Sequence, residues 1–186
     1  MTLPLPLPMD LGKGLVLHAT TAADAEAAYS AVDADRDRLR EWLPWVDATD
    51  SVAVEREFLV SLEQVAAQGG GVHLTLRQDE DFAGLLGLRL DRLHAGAEVG
   101  YWLASAHEGR GVMTRSVAAA IDLAFGPLGL HRVQLRAATG NRRSRAVAER
   151  LRMVHEGTLR GAELLARGYV DLEVYSVLAS EWSARG

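Results

Sequence analysis

The chain has 186 residues, with 25 acidic and 20 basic side chains, a formal net charge of −5 and no cysteine. This length fits a single domain, and a hydrophobic content of 48% excludes a wholly disordered chain. The acidic excess argues against a dedicated nucleic-acid-binding protein. The lack of cysteine excludes disulfide scaffolds, thiolate metal sites and a cysteine nucleophile.

The first residues are apolar and proline-rich but carry no basic side chain before Lys13. Residues 1–11 are therefore predicted to form an extended N-terminal tail instead of a signal peptide, within a single domain spanning residues 1–186. No apolar run approaches the ~20 residues that cross a bilayer. We expect a cytoplasmic protein whose partners include neither a membrane nor nucleic acid.

Hydrophobic periodicity predicts helices and then strands in the first half of the chain. The helix that begins near Ser51 carries its predicted core face at a helical spacing, on Val54, Phe58, Leu62 and Val65. The predicted elements are a strand at 14–18, helices at 20–32, 35–43 and from Ser51 up to Gly69, and strands at 72–77, 82–90 and 97–103.

The second half alternates helices and strands, so the whole chain is predicted to be a mixed α+β domain. Turn residues separate its elements, notably Gly126-Pro127 and Ala166-Arg167-Gly168. These elements are a helix after Gly111, a strand at 133–137, a helix beginning at Asn141 and a hairpin of strands at 154–165 and 167–179.

A glycine-containing loop lies between the strand predicted at 97–103 and the helix predicted after Gly111. Gly109 and Gly111 let backbone N–H groups approach a ligand, and a helix N-terminus favours an anion, so a phosphate or pyrophosphate is the natural ligand. The loop lacks the lysine and spacing of a Walker loop, and Thr114 replaces the third glycine of the dinucleotide fingerprint. Both familiar nucleotide motifs are therefore absent.

The loop and several other segments together resemble the GNAT acyltransferases, most closely the RimJ/RimL branch of N-terminal protein acetyltransferases. The resemblance implies a mostly antiparallel central sheet of about seven strands, flanked by helices and splayed between the fourth and fifth strands. It also implies acetyl-CoA as cofactor. The segments that carry it, in family order, are 42–46, 98–103, 109–114, 141–151, 156–163 and 169–176.

The resemblance assigns the cofactor contacts by position. The end of a strand lends backbone groups to the pantetheine, the glycine loop holds the pyrophosphate, and Asn141 contacts the pantetheine arm. Arg145 either reaches the ribose 3′-phosphate or belongs to a solvated basic face. The residues implied for the strand end and the loop are Trp102, Leu103, Gly109, Arg110, Gly111, Val112, Met113 and Thr114.

Three positions depart from the family pattern. Glu108 stands where the loop motif has Gln or Arg, and a carboxylate beside a pyrophosphate is unfavourable unless it points away. Met113 replaces the last small residue of the motif, as is familiar in the RimL branch. Arg152-Met153 replaces the usual Gly-Phe.

Acetyl transfer to an amine needs a proton acceptor for the amine and a proton donor for the departing thiolate. The resemblance implies Glu163 as the acceptor, through a water molecule, and Ser144 as the donor. Ser144 is alternatively a hydroxyl that caps its own helix. Glu163 is alternatively a surface carboxylate on the predicted hairpin. Tyr101 is either an alternative proton shuttle for the amine, in place of Glu163, or a buried strand tyrosine.

Four further residues are candidates for the acceptor site. Trp42 and Trp45 flank Pro44 and either cover a peptide N-terminus or bury a helix junction. Tyr169 and Asp171 either face the acceptor's amine or pair strands.

The predicted function is acetyl-CoA-dependent N-acetylation of an amine acceptor, foremost a protein N-terminus, by direct attack in a ternary complex. The alternatives are acetylation of a small amine (an amino acid, polyamine or aminoglycoside) and a non-catalytic acyl-CoA-binding module. The six histidines show no metal-ligand spacing, so no metal is predicted. A homodimer is a further expectation.

Overall fold

A computed structural model describes residues 5–184. Its centre is one eight-stranded sheet in the order β1-β2-β3-β4-β5-β6-β8-β7. The strands are β1 (Met9–Asp10), β2 (Leu15–Ala19), β3 (Gly71–Gln78), β4 (Asp81–Asp91), β5 (Gly96–Leu103), β6 (Arg132–Ala138), β7 (Val154–Leu165) and β8 (Gly168–Leu178). The helices are α1 (Ala25–Ala34), α2 (Arg36–Leu39), α3 (Val52–Ala67), α4 (Val112–Phe125), α5 (Arg142–Arg150) and α6 (Ala179–Ser183).

Helices cover both faces of the sheet, because the side chains of its strands alternate between two cores. On one face, α4 buries Val117 and Ile121 against a large core that includes Val99. On the other face, α1 and α3 pack on a smaller core that includes Leu85 and Trp102. The mixed α+β architecture predicted from the sequence is confirmed.

The sheet divides between β5 and β6, its one parallel pair. The two strands pair from Gly96 opposite Arg132 to Val99 opposite Leu135, and the paired register ends there. All other neighbours are antiparallel. The remaining four residues of β5 therefore diverge from β6 and open a gap in the sheet.

The strand count differs from the predicted seven, because part of the predicted tail joins the sheet. Met9 and Asp10 pair with Leu17 and Val16 at the edge of β2. The chain here is extended, and an open strand edge offers it hydrogen-bonding groups. The predicted fourth and fifth strands are thus β5 and β6, and residues 1–4 of the predicted tail lie outside the described residues.

Helix α3 forms where it is predicted, but of its predicted core face only Leu62 packs against the core. Val54, Phe58 and Val65 are 37%, 47% and 38% exposed, whereas Leu59 and Glu55 are buried. Apolar residues occur on more than one side of this helix, so spacing alone selects the wrong stripe. The predicted helix at 35–43 is shorter in the structure and ends at Leu39, before a series of turns.

Among residues 5–184, no helix is both long enough and apolar enough to span a bilayer.

Candidate active site

A cleft of about 890 Å³ opens at the point where β5 and β6 diverge. Its walls come from the end of β5, the glycine loop, the first turn of α4, one side of α5 and the segment around α2. The lining residues are Arg38, Leu39, Trp42, Leu43, Tyr101, Trp102, Leu103, His107, Glu108, Gly109, Gly111, Val112, Met113, Thr114, Arg115, Asn141, Arg143, Ser144, Val147 and Arg150.

The glycine loop presents backbone groups to this cleft. Gly109 and Gly111 have φ values of +74° and +72°, which side-chain-bearing residues rarely adopt, and a Cβ at either would meet open space. Gly111 is the N-cap of α4 and has no side chain with which to satisfy the first-turn N–H groups. The helix dipole adds positive potential at the same place, so the loop suits a pyrophosphate.

Two residues of the cleft wall each carry a buried polar atom without a hydrogen-bond partner in the described part of the chain. Arg38 Nε and His107 Nδ1 are buried and have no hydrogen-bond partner among residues 5–184. Such atoms are uncommon in folded proteins, because an unpaired buried donor or acceptor is costly. The backbone N–H groups of the glycine loop, at the N-terminus of α4, fit the phosphate groups of a cofactor.

Two hydroxyl groups meet on the wall of the cleft. Tyr101, near the end of β5, places its hydroxyl oxygen 3.0 Å from Ser144 Oγ on α5. Burial raises the pKa of Tyr101 to about 12, although its hydrogen bond to Ser144 acts in the opposite direction. Tyr101 therefore stays protonated at neutral pH and is suited to donate a proton, not to accept one.

Asn141 caps the N-terminus of α5. Its side-chain oxygen accepts a hydrogen bond from the Ser144 backbone N–H at 3.0 Å, and Asn141 is the N-cap residue. The Ser144 hydroxyl is therefore not needed as a cap and instead contacts Tyr101.

Glu163 does not line this cleft; it lies on β7, opposite Val170 of β8. Burial and the nearby Glu98 raise the pKa of Glu163, while Arg136 opposes that shift. Arg136 alternates with Leu135, which belongs to the large core, so Glu163 faces the other side of the sheet. The candidate proton acceptor and the hydroxyl pair are thus on opposite faces of the divided sheet.

Asp171 supports the position of Glu163 instead of facing the cleft. The β7–β8 register shifts between Leu159 and Glu163, which marks a bulge in β7. Within it, the Gly161 N–H donates to Asp171 Oδ1 at 2.7 Å, and Gly161 has a φ of +56°. Asp171 therefore fixes the bulge that precedes Glu163.

The predicted acceptor-site aromatics separate into different environments. Trp42 lines the cleft, packs beside Ala138 and the β7–β8 hairpin, and carries Arg167 4.4 Å above its ring. Trp45 packs in the second core, with its ring centroid 6.2 Å from that of Trp102, so it buries a helix junction. Tyr169 is 75% exposed and does not line the cleft.

Two predicted phosphate-binding arginines also lie outside the cleft lining. Arg145 donates to the Tyr175 hydroxyl at 3.2 Å and to the Thr139 carbonyl at 3.0 Å, contacts that hold α5 on the sheet. Arg110 follows Gly109 in the loop but does not line the cleft. Neither arginine lines the cleft in this structure, and a phosphate contact for either one stays a prediction.

Several lining residues were not predicted. On α5, Val147 follows Ser144 by three residues and Arg150 follows Val147 by three, so each adjacent pair shares a face of the helix. No local sequence pattern predicts a cleft-lining position for Arg38, Leu39 or Leu43. They reach the cleft through the packing of the segment around α2. No cluster of three or more metal-ligating His, Asp or Glu side chains occurs among residues 5–184.

Comparison with known proteins assigns the chain to a family. The model of the GNAT acetyltransferase domain matches residues 14–154. The chain is 34% identical over 161 residues to the Bacillus subtilis (strain 168) protein named "Putative ribosomal N-acetyltransferase YdaF", covering 86% of this chain and 88% of that protein. It is 25% identical over 167 residues to the ribosomal-protein-serine acetyltransferase of Escherichia coli (strain K12), covering 89% and 93%.

Among solved structures, Mycobacterium smegmatis RimJ in complex with CoA-disulfide matches with a TM-score of 0.85 and 25% identity, over 90% of this chain and 83% of that one. The geometry of the glycine loop and the divided sheet agree with these similarities. The chain therefore belongs to the GNAT acetyltransferase family, in its RimJ/RimL-like branch, and is an acetyltransferase that uses acetyl-CoA.

Proposed function

We propose that this enzyme acetylates the N-terminal α-amine of a ribosomal protein, by direct attack of the amine while both substrates are bound. The observation that carries the chemistry is the pair of hydroxyl groups, Tyr101 and Ser144, at the division of the sheet. The names of its relatives from Bacillus subtilis and Escherichia coli support a ribosomal protein as acceptor. Such an acceptor implies a cytoplasmic enzyme.

The hydroxyl pair serves the leaving group. Acetyl-CoA supplies a thioester whose departing sulfur is stabilised by a proton. The Tyr101 hydroxyl lies 3.0 Å from Ser144 Oγ and also donates to the Ser144 carbonyl at 3.3 Å. When Tyr101 donates to Ser144 Oγ, the Ser144 proton is free to be donated toward that sulfur. Because the Tyr101 pKa is about 12, the donor pair keeps its protons throughout the neutral range.

Glu163 accepts the proton that the amine loses. Its raised pKa makes the carboxylate a better proton acceptor than an ordinary surface glutamate, because catalytic bases work best near the operating pH. Glu163 lies on the opposite face from the hydroxyl pair, so the amine approaches from that face and loses its proton through a water molecule. The two proton transfers then occur on opposite sides of the reacting carbonyl.

The surroundings of Glu163 suit a cationic acceptor. Glu98 and Glu163 lie near each other, and Glu98 is held ionised by hydrogen bonds from Arg136 and Gln134. Trp42, beside the β7–β8 hairpin, offers an apolar surface for the first side chain of a peptide.

The experiment is acetylation of ribosomal proteins, read by mass spectrometry of their N-terminal peptides. Purified ribosomal proteins and a panel of small amines are each incubated at low concentration with the enzyme and isotopically labelled acetyl-CoA. We expect label on the α-amine of a ribosomal protein. Turnover of small amines alone would contradict the protein acceptor, and binding of CoA without thiol release for any acceptor would indicate a non-catalytic module.

A further inference from the structure

Glu108 bridges two arginines at the entrance to the phosphate loop. Its Oε1 lies 2.8 Å from Arg38 Nη1, and its Oε2 lies 2.5 Å from Arg143 Nη1. Arg38 comes from α2, Arg143 from α5, and all three residues line the cleft. Among the described residues that line the cleft, Glu108 is the only one with a carboxylate side chain.

The two arginines are held to different extents. Arg38 also donates to the Leu103 carbonyl at 2.8 Å and to Asp35 Oδ2 at 2.7 Å, and its side chain is 29% exposed. Asp35 in turn accepts hydrogen bonds from the backbone and the hydroxyl of Ser105. Arg38 is therefore fixed by the chain around it, whether or not Glu108 is present.

The side chain of Arg143 has fewer contacts than that of Arg38. Its side chain is 75% exposed, and Glu108 is its ion-pair partner. An exposed pair of this kind contributes little to stability, so its exchange for another anion costs little. Arginine binds phosphate oxygens through paired hydrogen bonds, so a phosphate competes directly with the carboxylate for it.

From this geometry we infer that Glu108 is an internal counter-anion that occupies Arg143 until the cofactor's pyrophosphate replaces it. On binding, Arg143 transfers from Glu108 to the pyrophosphate, and Arg38 remains on Glu108 and neutralises it. Glu108 thus sets the cofactor affinity below the value that the arginines alone would give. The pyrophosphate is the exchanging group because Glu108 directly precedes Gly109 in the loop.

This inference rests on the use of acetyl-CoA and is independent of the acceptor proposed above. It accounts for a carboxylate at a position where the family motif has Gln or Arg. A neutral or basic residue there leaves the phosphate site open, whereas Glu108 makes binding an exchange of one anion for another.

The test is calorimetric titration of the purified protein with CoA, dephospho-CoA and pantetheine. Glu108→Gln should bind CoA and dephospho-CoA about tenfold more tightly than the unsubstituted protein, because one ion pair no longer has to be broken. Its affinity for pantetheine, which has no phosphate, should not change. Glu149→Gln is the matched control, since it removes one negative charge from exposed α5 surface outside the cleft.

A double-mutant cycle separates exchange from simple charge repulsion. Arg143→Gln should weaken CoA binding more in the Glu108→Gln background than in the unsubstituted background, because only there is Arg143 free beforehand. Unchanged or weaker CoA binding by Glu108→Gln would overturn the inference. So would equal tightening by Glu149→Gln, tightening toward pantetheine, loss of the effect with dephospho-CoA, or additive substitutions.

Discussion

The hydroxyl oxygen of Tyr101 lies 3.0 Å from Ser144 Oγ and joins the diverging end of β5 to the first turn of α5. The pair spans the division of the sheet, where β5 and β6 no longer share hydrogen bonds. It thereby joins the proposed proton donor, Ser144, to the strand end at which the cleft opens.

Ser144→Ala should lower kcat by about 100-fold, the effect typical of losing a positioned general acid. Tyr101→Phe should lower kcat less, because Ser144 keeps its own proton. The double variant should resemble Ser144→Ala alone, since the two hydroxyls act as one unit. Steady-state kinetics with titration of CoA distinguishes this from a binding defect, and additive losses would contradict a shared role.

Glu163→Gln should lower kcat and remove the acidic limb of its pH profile. A base works when deprotonated, so activity of the unsubstituted enzyme should rise with pH through the raised pKa of Glu163. An unchanged profile in Glu163→Gln would exclude it as the proton acceptor.

Glu98→Gln should move that acidic limb to lower pH. The negative charge of Glu98 raises the pKa of Glu163, and Glu98 also engages Arg136. Removing the Glu98 charge takes away the repulsion and frees Arg136 to stabilise ionised Glu163, so both effects lower its pKa. An acidic limb that stays in place or moves to higher pH would show that the charge of Glu98 does not raise the pKa of Glu163.

Asp171→Ala should lower kcat and shift the acidic limb, because it releases the Gly161 N–H that fixes the bulge before Glu163. Asp171→Asn retains an oxygen acceptor and should restore most of the activity. Thermal unfolding of both variants provides the control. Equal losses in the two variants would show that the charge of Asp171, and not its hydrogen bond, matters.

Gly111→Ala should weaken CoA binding, and Gly129→Ala should not. Both glycines have positive φ values, +72° and +61°, with open space around an added Cβ, so each substitution should cost about 1 kcal/mol of stability. Gly111 lines the cleft at the start of α4, whereas Gly129 does not line it. Equal CoA affinity in the two variants would argue against the loop as the phosphate site.

Glu55→Gln should stabilise the protein at neutral pH, because an ionised carboxylate no longer has to be buried. Glu55 is 2% exposed, and burial raises its pKa above the value in the unfolded chain. The folded state therefore holds this proton more tightly, and stability is lost as pH rises through the folded pKa. Denaturant unfolding should show the two proteins converging at acidic pH; a difference independent of pH would contradict the assignment.

The sequence predicted the parts of this molecule that depend on local patterns. The strand pattern, the glycine loop and the Asn141–Ser144 helix start all lie where their residues indicate, because turns, caps and alternation act over a few positions. The cleft-lining role of Arg38 and the burial of Trp45 against Trp102 depend on chain segments far apart in sequence. Hydrophobic periodicity is a local pattern and does not predict such long-range contacts.

Long-range packing also explains why the core face of α3 is predicted incorrectly. Its apolar residues allow more than one stripe, and the contact of Leu59 with the core of α1 and β4 selects among them. Glu108 is a related case, since its departure from the motif is visible in the sequence while its two arginine partners lie 70 and 35 residues away.

The two outer edges of the sheet determine how copies of this protein can meet. On one side, the two-residue β1 leaves almost no strand to which a neighbour could add; on the other, β7 is interrupted by two register shifts. Irregular and very short edges disfavour the strand-to-strand joining that leads to fibres and swapped sheets. We therefore expect the homodimer predicted from the sequence to form through helices and side-chain surfaces, with each sheet complete within its own copy.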